Sequence, residues 1–147
     1  MGKKGKTMNN IQSIYTKCFK AGTALLGALS GLFGGFDALL KALMLCMLVD
    51  YVSGVLCAIA GKSHKSADGK LSSAQGAKGI YKKILIMLSV LIAATLDQSL
   101  GQNNVFRNAA CVFYISNELI SFIENLNTMG VPFPERVKKA IGQLQEK

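Results

Sequence analysis

Charge and hydropathy are so segregated along this chain that few folds can accommodate both. Fifteen of the seventeen positive charges fall in three polar stretches, residues 1–20, 61–83 and 135–147, while five of the eight acids lie inside or at the ends of apolar runs. Half of the 147 residues are apolar. A water-soluble domain of this length has too small an interior to hide that much apolar surface. Basic connections between long apolar runs therefore predict an all-α, multi-pass transmembrane protein.

Crossing the hydrocarbon core of a bilayer takes about 20 helical residues. Four runs are candidates: residues 21–36, 38–60, 84–100 and 105–126, which together with the basic loop 61–83 make a membrane domain over 21–126. Four crossings put Lys3, Lys4, Lys6, Lys17 and Lys20 on one side with the six lysines of the loop and with Arg136, Lys138, Lys139 and Lys147, leaving only Lys41 and Arg107 opposite. By the positive-inside rule both termini and the loop face the cytoplasm. Three crossings would split the charges 6 to 11, a weaker asymmetry.

The first run is short, about 24 Å at ~1.5 Å per residue, and rich in glycine, so a re-entrant or interfacial first helix is the alternative. Gly27, Gly31 and Gly35 form two consecutive GxxxG spacings, which place small residues on one face for close helix packing. Lys41, near a span end, can snorkel to the surface.

Both flanks look amphipathic. Ile11, Ile14, Tyr15, Cys18 and Phe19 recur on one helical face within the basic segment 1–20. In the cytoplasmic segment 127–147, Pro134 opens a helix carrying Val137, Ala140, Ile141 and Leu144 on one face and Lys138 and Lys139 on another. Each helix can lie on the membrane or pack on a neighbouring subunit.

Several function classes drop out. Lysine outnumbers arginine 15 to 2 and no aromatics interleave with a basic stripe, so the positive charge is not a nucleic-acid footprint. Lys62, Lys82, Lys83, Lys138 and Lys139 are expected at anionic lipid headgroups instead. The four cysteines have no metal-ligand spacing, and His64 sits in a polar loop. Gly69, Gly76 and Gly79 lack the spacing of a phosphate loop, and no nucleophile–base pair stands out. No catalytic residue, metal or cofactor is expected, and the chain is read as a non-enzyme.

The acids within the spans are more informative. Asp50 falls near the middle of its run, where an ionised carboxylate costs about 2.5–3.5 kcal/mol on insertion scales. Ser53, Gly54 and Cys57 follow it on one helical face. The fourth run carries a denser stripe through Tyr114, Asn117, Glu118, Ser121, Glu124, Asn125 and Thr128. Polar faces in lipid must meet protein or water. Asp50, Ser53, Gly54, Asn117, Glu118, Ser121, Glu124 and Asn125 are thus candidates for assembly or pore lining, or for hydrogen bonding within one subunit. Glu124, nearer the boundary, fits a helix-end role equally well.

Three segments carry a resemblance: GGFDALLKALMLCMLVDYVSGVLCAI (34–59), SSAQGAKGIYKK (72–83) and NELISFIENLNTMGVPFPERVKKAI (117–141). Their order and motifs, Asp50-Tyr51-x-x-Gly54, the Ser-Ser loop leading to Gly79 and Lys82-Lys83, and Asn117-Glu118 followed by Pro132 and Pro134, resemble phage holins of the toxin-secretion and phage-lysis group. The resemblance implies homo-oligomers in the bacterial cytoplasmic membrane that open timed lesions, giving an endolysin access to the wall, with some relatives linked to toxin release. A polar stripe sealed in pairwise contacts could then turn to water in a ring, sensitive to protonation and voltage. Met8 is a candidate second start, which would shed Lys3, Lys4 and Lys6; paired starts in some such genes yield a lesion former and an inhibiting antiholin. A small ion or proton channel or export pore, and a regulatory scaffold, are the other classes.

Overall fold

A computed structural model describes residues 12, 14, 16, 17, 19–24, 27, 28, 30–63 and 72–143. Every regular element among them is helical. The described residues between 12 and 32 are helical and form a leading segment, followed by α1 (Ala38–Ile59), α2 (Ser73–Leu100), α3 (Val105–Met129) and the nine-residue α4 (Glu135–Gln143). The expected positions of Met8, Ile11, Tyr15, Cys18, His64 and Leu144, and the side chains of Lys138, Ala140 and Ile141, lie outside the described residues.

Local chemistry sets the helix ends. Asp37 caps α1, its Oδ1 accepting the Leu40 N–H at 2.9 Å. α1, α2 and α3 each end on a glycine in the left-handed region, Gly61, Gly101 and Gly130, with the following N–H bonded back to Cys57, Asp97 and Leu126 at 2.8–2.9 Å. Pro132 and Pro134 then prevent α3 from continuing.

Two boundaries differ from those read from sequence. α2 starts at Ser73 rather than near residue 84, so half of the expected loop 61–83 is helix. Alanine, glutamine and lysine favour helix there, and Gly76 and Gly79 sit beneath the Tyr51 side chain: a methyl at Gly79 would already touch the ring at 3.4 Å. The first run is also shorter than expected. Its helix stops at Leu32, and Gly35, at φ 111, lies in the extended connection before α1. The second GxxxG spacing therefore does not share one helical face, and Gly27 and Gly31 have open space beside them in the single chain.

α3 is the central element. It packs along α1 and α2, which barely touch each other. Leu40, Leu43 and Met47 of α1 meet Ile86 and Val90 of α2 and Cys111 of α3 in a small apolar core. Most other large apolar side chains point outward, among them Leu45, Leu48, Val52 and Leu56 on α1 and Leu85, Leu88, Ile92 and Leu96 on α2. α1 and α2 are long and apolar enough to cross a membrane, and only 22% and 17% of their most apolar stretches are buried by the rest of the chain. The core helix of a soluble protein would be mostly covered. Lipid is the solvent that tolerates such faces. α3 is as long but too polar to pass the same test, and among the described residues no third helix does.

One end of the three-helix unit is fastened by a polar corner that sequence reading did not anticipate. Arg107, at the start of α3, is fully buried. Its guanidinium forks onto Asp37, Nη1 donating to Oδ2 at 2.8 Å and Nη2 to Oδ1 at 3.0 Å, and also donates to the Phe33 and Gly35 carbonyls. Asp97, from α2, accepts the backbone N–H groups of Phe106 and Arg107 at 3.0 and 2.8 Å, capping α3 from another helix. Gly34 is required here: at φ 70, its added carbon would lie 2.8 Å from Asn104 Oδ1. Lys41, expected to snorkel, rests over the Phe36 ring at 5.3 Å.

The hydrogen bond from Arg107, helped by the Leu40 N–H, draws the Asp37 carboxyl down from its ordinary 3.8 to about 2. Its folded value lies below its unfolded one, so its contribution is complete above the ordinary carboxylate range and is lost as pH falls toward 2. The unfolding midpoint in detergent, measured from pH 6 to 2, should fall in that window, and Asp37→Asn should remove part of the fall; identical profiles would show that the corner contributes no linkage.

Candidate functional site

The polar residues of α1 and α3 that stood out by helical spacing do converge. Asp50 is 5% exposed, Glu118 fully buried and Asn125 7% exposed. They face each other because Leu43, Met47, Asp50 and Cys57 share one stripe of α1, and Arg107, Cys111, Glu118 and Asn125 one stripe of α3. Asp50 lies ~18 Å along α1 from its first residue and Glu118 ~20 Å along α3, so both carboxylates sit near the middle of their helices.

Between them comes Lys83. Its ammonium donates to Asp50 Oδ2 at 2.8 Å and to Glu118 Oε2, and its side chain is 15% exposed. Sequence reading placed Lys83 at lipid headgroups, because residues 61–83 look like a polar loop. Extension of α2 back to Ser73 turns it inward instead. Lys82 keeps the expected exposed position, 56% accessible, yet its Nζ lies 3.2 Å from Glu118 Oε1. That approach has ion-pair distance without hydrogen-bond alignment, so Oε1 has no hydrogen-bond partner. Two ammonium groups thus face two carboxylates, one pair member deep and one at the surface.

Asn125 extends the network. Its Nδ2 donates to Ser53 Oγ at 2.9 Å and to the carbonyl and Oδ1 of Asp50 at 3.3 Å, and its own carbonyl accepts from Cys57 Sγ at 3.4 Å. Gly54 lies beside this contact, where a methyl would meet Nδ2 at an ordinary 3.7 Å. Asn117 and Ser121 are half-buried on the same side of α3. Glu124 is exposed and stands apart, as a helix-end residue would. Lys62 and Lys139 are exposed. Among the described residues no group of acids, cysteines and histidine could hold a metal ion.

The arrangement is a polar seam closed within one subunit. Each of the three segments that carry the family resemblance supplies one charged member: Asp50 from α1, Lys83 from α2 and Glu118 from α3. Deleting one partner of a buried ion pair costs about 3–5 kcal/mol, because the remaining charge is stranded. Lys83→Met should therefore lower the unfolding midpoint strongly in detergent, and adding Asp50→Asn and Glu118→Gln should recover much of the loss. A midpoint unchanged by Lys83→Met would mean that the triad does not hold the helices together.

Residues 27–146 match the bacteriophage holin family. An uncharacterised protein of Listeria monocytogenes is 43% identical over 123 residues, 83% of each chain, and one of Clostridium perfringens is 39% identical over 132 residues, 88% of this chain and 93% of the other. A probable holin of Bacillus phage phi105 is 32% identical over 95 residues, 65% of each chain. No solved structure matches. The match over most of the chain carries the conclusion: this membrane protein belongs to the bacteriophage holin family.

Proposed function

We propose that the chain is a phage holin: it accumulates in the bacterial cytoplasmic membrane, oligomerises, and at a set time opens lesions through which an endolysin reaches the wall and lyses the host. Family membership supports this reading, and one observation gives it a mechanism. The subunit presents many large apolar side chains on the outward faces of α1 and α2 while pairing its buried carboxylates Asp50 and Glu118 with Lys83. A closed subunit can reside in lipid without conducting. Opening the triad frees polar faces of α1 and α3 that must then meet water or another subunit.

In the bacterial membrane the C-terminal ends of α1 and α3 and the N-terminal end of α2, next to the basic stretches 61–83 and 135–147, face the cytoplasm, and the Arg107 corner faces outward. The leading segment then makes a fourth crossing, with both termini cytoplasmic. Gly27 and Gly31, with open space beside their α-carbons in one chain, offer a face to a second copy. Single cysteines replacing Gln12 and Phe36 in a cysteine-free chain should be labelled from opposite sides of the membrane. Labelling from the same side would leave three crossings.

Expression in bacteria tests the function. Growth should continue and then stop abruptly, with cytosolic enzyme escaping, and a depolarising agent should bring that moment forward. Because the triad keeps the charges closed, Asp50→Asn and Glu118→Gln should each advance lysis. Wild-type timing in both removes the triad from the trigger. Loss of potential without enzyme release would identify a narrow channel, and neither effect a regulatory protein such as an antiholin.

A further inference from the structure

The gap between α1 and α2 is backed by α3 but open in front. Two clefts lie along it. The one toward the lysine-bearing end, about 460 Å³, has Asp50 and Lys83 at its floor, Tyr51 on its wall and Lys78 and Lys82 along α2. The other, about 420 Å³, is almost wholly apolar, lined by Phe33, Met47, Leu48, Ile84, Met87 and Leu88. Tyr51 and Lys83 border both, so the clefts adjoin. Each lies within the ~300–1,000 Å³ usual for sites that hold a small molecule.

The charges select the occupant. Lys82 and Lys83 are offset by Glu118 and Asp50, which leaves Lys78 as the surplus positive charge among the described groups of the polar cleft. One monoanionic group would balance it. A free anion would leave the apolar cleft empty, and an apolar molecule would ignore the lysines. We propose that the α1–α2 groove binds one anionic phospholipid, its phosphodiester at Lys78 and Lys82 and an acyl chain along Met47, Leu48, Ile84 and Leu88. This rests on the chain being embedded in a bilayer, and not on its causing lysis.

The chain contains no tryptophan, so one introduced tryptophan reports alone. Leu88→Trp places it at the groove, and Phe113→Trp on an exposed face of α3 away from it. Each full-length variant is reconstituted in vesicles of phosphatidylglycerol and phosphatidylcholine in which one or the other lipid carries brominated chains. At about 1 kcal/mol per lysine near anionic lipid, roughly fivefold each, phosphatidylglycerol should be preferred severalfold at the groove. Brominated phosphatidylglycerol should therefore quench the Leu88→Trp variant severalfold more strongly than brominated phosphatidylcholine does, with no such preference in the Phe113→Trp variant. Adding Lys78→Gln should weaken the preference, and adding Lys82→Gln as well should abolish it. Lys78→Gln alone touches none of the ion pairs above, which keeps the result readable if Lys82→Gln disturbs Glu118. Equal quenching by both lipids at the groove, an equal preference at both positions, or a preference that survives both substitutions would overturn the proposal. Quenching at neither position would overturn the embedding itself.

Discussion

Lipid offers no hydrogen-bond partner to a side chain, and the rest of this structure follows from where α3 finds its partners instead. α3 carries Arg107, Ser116, Glu118 and Asn125 in buried positions along its length. Each must be satisfied by protein, and Arg107, Glu118 and Asn125 are met by neighbouring elements. α1 supplies Asp50 and Ser53, α2 supplies Lys83 and Asp97, and the connection before α1 supplies Asp37 with the Phe33 and Gly35 carbonyls. α1 and α2 are thus assembled around α3 by polar complementarity, with a modest apolar core between the two charged regions.

The two charged regions use different cations for different geometry. At the corner, a planar guanidinium satisfies several carbonyl and carboxylate oxygens at once, which ties α3 to the connection that leads into α1. Near mid-helix, a single ammonium bridges two carboxylates from two helices. A flexible four-carbon stem lets that ammonium meet both, Asp50 from α1 and Glu118 from α3, while the neighbouring Lys82 stays exposed.

Much of this could be read in the sequence, and the parts that could not share a cause. Helical period exposed the Asp50 and Glu118 faces, because buried positions on one helix recur every three or four residues. Lys83 escaped because Gly76 and Gly79 look like loop residues, whereas they lie within α2 with the Tyr51 side chain packed over them. The Asp37–Arg107 fork escaped because its members lie 70 residues apart, and no local pattern links them. The signal available was Asp37 itself, an N-cap residue immediately before an apolar run, paired by charge with one of only two cations outside the basic stretches.

Because α1 and α2 are held mainly through α3, at the Arg107 corner and at the Lys83 bridge, and meet each other only through the small apolar core and the Tyr51 side chain, the unit has the mechanics of a pair of tongs. The pivot is the corner, the catch is Lys83, and the jaws are the C-terminal half of α1 and the N-terminal part of α2. Releasing the catch leaves the pivot intact. A subunit built this way has one end fastened by several hydrogen bonds and the other held chiefly by one ammonium, so its stability is unevenly distributed along its length.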